Sequence, residues 1–229
     1  MYENFKYLNA VAQKEITNGV FSGSVLSVIH KGEIVYLKSF GLADKEKNIP
    51  MKTDSIFRLF SMSKPVTAAA AMILIERGLL DTRHPLKWFI PEFSDPVVLD
   101  ENGEHPADRD ITIGDLLTMT SGIPYPDGTP AGQKMGALWG GQSEKYLKGE
   151  KLLDTVSFAK EMGKRPLMFT PGEKWMYGAS ADIMGAVIEV VSGMKFGDFL
   201  RKEIFEPLGM NDTGFYIPAE KYSRLAQCY

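Results

Sequence analysis

Apolar residues at Phe5, Leu8, Ala12 and Ile16 recur at the spacing of one helix face, so the chain is expected to open with an amphipathic helix ending near Asn18-Gly19. The period then changes. Residues 24–29 and 34–40 are rich in β-branched and apolar side chains and meet at Lys31-Gly32, which predicts a hairpin of two antiparallel strands. A strand-like segment follows at 56–60. From Ser61 onward helical spacing returns in blocks at 61–77, 112–119, 153–164, 181–191 and 196–205, with Gly78, Gly122, Gly193 and Gly209 near the expected helix ends. Between Gly122 and Gly149, Pro124, Pro126, Pro130 and five further glycines predict a long irregular loop, the kind that in a compact domain is usually functional or mobile. A lone two-stranded hairpin is marginal in water, so the sheet reads as incomplete.

Composition narrows the class. With 26 basic and 29 acidic residues the net charge is −3, and 24% charged against 44% hydrophobic residues in a chain of 229 describes an ordinary globular protein of one large or two small domains. No Lys/Arg-rich stripe offers a phosphate-neutralising surface, so no nucleic-acid partner is expected. Cys228 is the single cysteine, which excludes an internal disulfide, and with only three histidines it argues against a structural zinc site; no cofactor or metal is expected. The longest apolar run, 68–75, falls short of the roughly 20 residues a membrane span needs, and Met1-Tyr2-Glu3-Asn4 lacks the basic start and apolar stretch of a leader. These features predict a protein without a membrane span and with a cytoplasmic location, although a trimmed leader would leave no trace.

Nucleotide-binding glycine loops and the H-E-x-x-H pattern are absent. Gly178-Ala179-Ser180-Ala181-Asp182 fails as a nucleophile elbow at its last position, and His30, His84 and His105 lie in turn or polar contexts unsuited to a triad base. What remains is Ser61-Met62-Ser63-Lys64. At i and i+3 a hydroxyl and an amine share one helix face, about a turn apart. The serine end faces the positive pole of the helix, and a partly desolvated lysine there could accept the serine proton. The competing reading makes Ser61 an N-cap and Lys64 a solvated first-turn residue.

Further segments bear on that choice. Residues 57–68, from Phe57 through Ser61 and Lys64 to Ala68, resemble the nucleophile segment of the serine β-lactamase and penicillin-binding superfamily, closest to class C β-lactamases, D-alanyl-D-alanine peptidases and β-lactamase-like (family VIII) esterases. Three more blocks resemble it in order: Ile111 to Gly122, with Met119 where His is usual; Phe169 to Tyr177; and Pro207 to Thr213. The resemblance implies Ser61 as acyl-accepting nucleophile, Lys64 as its proton acceptor and Tyr177 as the phenol that passes a proton to the leaving group.

Two departures shape the expectation. Many relatives read Tyr-Ser-Asn at the tyrosine motif; here Tyr177-Gly178-Ala179 lacks the asparagine amide and, with Asp182 to Gly185 after it, is similar to the esterase branch. The third motif of the superfamily, a Lys-Thr-Gly or His/Trp-x-Gly strand, has no convincing counterpart, since Asp212-Thr213-Gly214 belongs to the preceding block and Trp139-Gly140-Gly141 precedes the tyrosine. These residues are therefore expected to be part of a longer chain.

The resemblance implies an α/β (α+β) fold of the β-lactamase/transpeptidase type, an antiparallel sheet with a helical domain, expected here without its C-terminal strands. Residues 1–60 would supply the N-terminal helix and hairpin, 61–215 the helical domain with the nucleophile and tyrosine motifs, and 216–229 the start of the return to the sheet. The expected function is a serine hydrolase working through an acyl-Ser61 intermediate on carboxylic esters. D-amino-acid peptides or β-lactams are the alternative substrates, and a non-catalytic penicillin-binding-like module the alternative role. An uncovered sheet edge would favour a homodimer.

Overall fold

The computed structural model describes residues 5–229, so the reading of Met1 to Asn4 lies outside the described residues. The chain forms a mixed fold of helices and antiparallel strands, divided into two compact units, residues 1–60 with 214–229 and residues 61–213.

In the first unit, α1 (Lys6–Thr17) precedes β1 (Gly23–His30) and β2 (Glu33–Asp44), with a two-residue β3 (Ile49–Pro50) completing the order β1-β2-β3. Lys31 and Gly32 both have positive φ, at 51° and 82°. That is the two-residue turn whose twist matches the flanking strands, and it sets the pairs His30↔Glu33 and Ile29↔Ile34; a one-residue irregularity between Val28 and Ile29 then shifts the register, which runs from Val28↔Tyr36 to Gly23↔Gly41. Helix α1 lies on this sheet: the Tyr36 hydroxyl donates to Asn9 Oδ1 at 2.6 Å, and the Phe5 and Tyr36 rings are 4.7 Å apart. The expected strand at 56–60 shrinks to one bridge. Ile56 pairs in parallel with Leu225, its N–H donating to Arg224 and its carbonyl accepting from Ala226. Phe60 then turns left-handed, at φ 46°, which no continuing strand would allow.

The second unit is helical. It contains α2 (Ser63–Glu76), α3 (Ile113–Thr118), α4 (Pro130–Leu147), α5 (Thr155–Gly163), α6 (Ser180–Ser192) and α7 (Phe196–Leu200), the last continued by a wide turn over Arg201–Phe205. Residues 183–188 of α6 are all buried, and α2, α3, α5 and α7 pack around them. Ala70 and Ala71 of α2 are wholly buried, and such small residues let two helix backbones approach closely. A short hairpin that the pattern did not reveal, β4 (Val97–Asp100) and β5 (Gly103–Pro106), turns at Asp100, whose Oδ1 accepts from the Asn102 N–H at 2.8 Å.

The expected loop between Gly122 and Gly149 is corrected by α4. Pro130 occupies the first turn, where its missing N–H costs nothing, and Thr129 caps the helix by accepting from the Gly132 N–H at 3.1 Å. Ala131, Met135 and Leu138 then bury one face. Burial of that stripe outweighs the glycines, each costing roughly 0.5–1 kcal/mol in a helix. Among the described residues no helix is long and apolar enough to cross a membrane.

Helix α3 is fixed at its start by a reciprocal cap. Thr112 Oγ1 accepts from the Asp115 N–H, while Asp115 accepts from the Thr112 N–H at 2.8 Å and grips Arg109 through two bonds of 2.8 Å. Burial pushes the Asp115 carboxyl up, but Arg109 and Thr112 together outweigh it and hold it below its ordinary value. Asp115→Ala is expected to cost about 2 kcal/mol, read by denaturant unfolding. The depressed carboxyl contributes stability that is present above its ordinary value of 3.8 and is lost as pH falls through its folded value. The gap between wild type and variant should therefore narrow on acidification below about pH 4.

Candidate active site

The chain enters α2 through a single tight turn, Phe60–Met62, and regular helical bonding begins at Ser63. Ser61 thus sits two residues ahead of the helix that the sequence started at Ser61 itself. It stays exposed, while Lys64 in the first turn is half-buried. Their spacing still brings the groups together, and Lys64 Nζ donates to Ser61 Oγ at 3.0 Å. No side chain caps α2, so its first N–H groups leave the positive pole of the helix beside the serine.

Tyr177 reaches this pair from the strand of chain before α6. Residues 168–179 are stitched by backbone bonds to 119–123: Met168 N–H to Gly122, Gly172 N–H to Thr120, Met176 N–H to Met119 and Ala179 N–H to Ile123, all between 2.8 and 3.2 Å. Two blocks separate in sequence therefore form one bed. Met119 supports it by ending α3 in the left-handed conformation, at φ 59°, and a buried Ser121–Ser180 hydroxyl pair at 2.8 Å ties the bed to α6.

The result places Lys64 Nζ 4.6 Å from the centre of the Tyr177 ring. Hydrogen bonds from Lys64, and then from Ser61, hold the Tyr177 phenol below its ordinary value of 10.0, against a smaller opposing push from partial desolvation. The structure thus brings together Ser61, Lys64 and Tyr177. Two neighbours escaped the sequence reading: Tyr125, whose ring centre lies 5.4 Å from Lys64 Nζ, and Asp182, which accepts from the Tyr125 hydroxyl at 2.8 Å. Their only signals were an aromatic between two prolines and an acid in the first turn of a helix.

Of the other candidates, His84 and His105 have their own partners and only Trp139 reaches the cluster, through Tyr125. His84 Nδ1 accepts from the Asp81 N–H, His105 pairs with Asp100 on the small hairpin, and Trp139 sits edge-on to Tyr125 and Phe158 within α4. Among the described residues no group of His, Cys, Asp or Glu could hold a metal ion.

The departure at Tyr177-Gly178-Ala179 has a steric cause. A Cβ on Gly178 would fall 2.1 Å from the Ile123 carbonyl oxygen, far inside contact distance, so the stitched bed admits only glycine there. Ala179 is wholly buried, which turns its side chain away from Ser61's exposed surroundings and into the core.

The chain belongs to the Beta-lactamase family, whose model matches residues 8–229. It is 35% identical over 211 residues to esterase EstB of Burkholderia gladioli, covering 91% of this chain and 50% of that protein. It is 34% identical over 200 residues to penicillin-binding protein 4* of Bacillus subtilis, covering 86% of this chain and 38% of that one. Among solved structures, EstCE1, described as a hydrolase with promiscuous acyltransferase activity, superposes with a TM-score of 0.82 at 29% identity, over 98% of this chain and 56% of its own. The chain spans about half the length of the curated relatives it matches, or less.

Gly178→Ala should force the bed apart and displace Tyr177. The expected outcome is a loss of about 1–3 kcal/mol in stability and a Tyr177 titration that returns toward the ordinary value, followed by ultraviolet difference spectra against Tyr177→Phe. Gly140→Ala, exposed within α4 with nothing near its missing Cβ, serves as the contrast and should stabilise by roughly 0.5–1 kcal/mol.

Proposed function

We propose that the protein is a serine hydrolase that forms an acyl intermediate on Ser61 and acts on carboxylic esters. The observation that carries this reading is the Lys64 Nζ contact to Ser61 Oγ at 3.0 Å with the depressed Tyr177 phenol beside it. Ser61 Oγ attacks the ester carbonyl carbon and passes its proton to the Lys64–Tyr177 pair. The tetrahedral oxyanion collapses, the C–O bond to the alcohol breaks, and the alkoxide takes that proton back from Tyr177. Water, deprotonated by the same pair, then releases the acid and restores the Ser61 hydroxyl.

Esters are favoured over lactams because the position that would carry a substrate-facing amide holds a buried alanine, Ala179. An alkoxide also needs less assistance in leaving than an amide nitrogen. The name of EstB points the same way. The similarity to penicillin-binding protein 4* favours the second reading, a site that takes a β-lactam or a D-amino-acid peptide. The Ser61 backbone N–H would supply one oxyanion donor. Without a second, acylation should run about 10²–10³ slower than in a complete hole.

A fluorophosphonate should add a single phosphonyl group, losing fluoride, with intact mass and peptide mapping placing it on Ser61. Ser61→Ala should remove it, and Lys64→Met should slow it by about 10²–10⁴. An adduct that persists in Ser61→Ala overturns the assignment, and a fluorescent penicillin that acylates Ser61 while p-nitrophenyl esters are left intact favours the second reading.

The pH dependence carries a sign. A base that includes the depressed Tyr177 phenol works only once that phenol has lost its proton, so labelling should rise with pH and level off below 10.0, the ordinary tyrosine value. In Lys64→Met the phenol loses the partner that lowers it, and the residual rise should move to higher pH. A flat profile from pH 6 to 10 would contradict a base at this site.

A further inference from the structure

Lys64 faces two tyrosines, and the proposed chemistry uses one. The lysine stem is flexible and carries about 2 kcal/mol of rotamer entropy, so holding Nζ at a fixed hydroxyl needs restraint from outside α2. The Tyr125 and Tyr177 rings supply two faces, their centres 6.0 Å apart and tilted by 48°, with Nζ within 5.4 and 4.6 Å of them.

Tyr125 is itself fixed from several sides. Pro124 and Pro126 restrict the backbone around it. The ring meets Trp139 of α4 edge-on at 5.9 Å, and Trp139 meets Phe158 of α5 in the same way at 5.2 Å. Its hydroxyl donates to Asp182 in the first turn of α6, where a carboxylate is favoured by the helix dipole. We propose that Tyr125, anchored by Asp182, is a positioning residue whose ring keeps Lys64 Nζ against Ser61 Oγ, and that commitment of its hydroxyl to Asp182 leaves Tyr177 as the proton-exchanging phenol.

The charges support this division. Burial, then the Asp182 carboxylate, push the Tyr125 phenol well above the ordinary tyrosine value, while Lys64 and Ser61 pull Tyr177 below it. Titratable neighbours pushed in opposite directions have been assigned different tasks. Asp182 also opposes the lowering of Tyr177, so the groups acting on Tyr177 are Lys64, Ser61 and Asp182, and those acting on Tyr125 are Asp182 and Tyr177.

The test uses the whole chain labelled with carbon-13 at tyrosine Cζ, titrated by NMR, with Tyr125→Phe and Tyr177→Phe identifying the two resonances. The kinetic arm rests on the acyl-enzyme reading; the titration arm does not. Tyr125→Leu should raise the Tyr177 midpoint toward the ordinary value and slow fluorophosphonate labelling of Ser61 about tenfold. Tyr125→Phe, which keeps the ring, should recover most of both. Asp182→Asn should lower the Tyr125 midpoint, and this variant decides the anchoring should Tyr125→Leu not fold. A folded Tyr125→Leu that melts earlier yet leaves the Tyr177 midpoint and the labelling rate unchanged assigns Tyr125 to packing alone and overturns the proposal. So does a Tyr125 midpoint unmoved by Asp182→Asn. A wild-type chain that takes no label overturns the acyl-enzyme reading, and the titrations then decide the positioning by themselves.

Discussion

Helix α6 buries side chains on every face from residue 183 to 188, and a helix of that kind is stable only when other elements cover all of it. Helices α2, α3, α5 and α7 do so. The candidate chemistry follows from this packing, because the tyrosine segment runs directly into the start of α6 and the serine and lysine stand at the start of α2. Ala70 and Ala71 let α2 come close, and the bonds between 119–123 and 168–179 fix how far Tyr177 projects. The same packing sets Asp182, in the first turn of α6, against Tyr125.

Around Lys64 the electrostatics are asymmetric in a useful way. One amine touches a hydroxyl and lies over two aromatic faces, yet it pulls only the Tyr177 phenol below its ordinary value. The other phenol is committed to a carboxylate. Both helix starts nearby contribute: α2 leaves uncapped N–H groups beside Ser61, and α6 favours the ionised Asp182. Ser61 and Tyr177 are exposed, so solvent weakens charge effects on them and the short contacts of Lys64 matter most.

What the sequence made legible were features whose physics is local. The hairpin could be read because Lys31-Gly32 chooses its own turn, and Ser61 and Lys64 because a three-residue spacing brings their groups together even though Ser61 lies in the tight turn before α2. Helix α4 was not legible. Its glycines and prolines look like a loop, and only the burial of Ala131, Met135 and Leu138 against the rest of the unit outweighs them. The β4–β5 hairpin is held partly by Leu167, far along the chain, whose N–H donates to Val97 and whose carbonyl accepts from Leu99. Tyr125 and Asp182 are 57 positions apart, so nothing in either neighbourhood announces their bond. Ala179 shows a further limit: its place in the motif marks a missing substrate-facing amide, but only the structure shows that the alanine standing there is part of the core.

In the proposed chemistry, nucleophile activation and oxyanion stabilisation are separate problems. Ser61, Lys64, Tyr177, Tyr125 and Asp182 all belong to the unit of residues 61–213, so the groups to which proton handling is proposed are held by one core and one set of helix ends. Oxyanion donors contribute only where charge develops in the transition state, and they need no part in setting the ground-state contact between amine and hydroxyl. The residues that prepare the hydroxyl can therefore be in place regardless of how the oxyanion is met. In the bed that presents Tyr177, the Ile123 carbonyl that excludes a side chain at 178 also accepts the Ala179 N–H. A larger residue at either position would disturb the phenol before it could add any contact to a substrate.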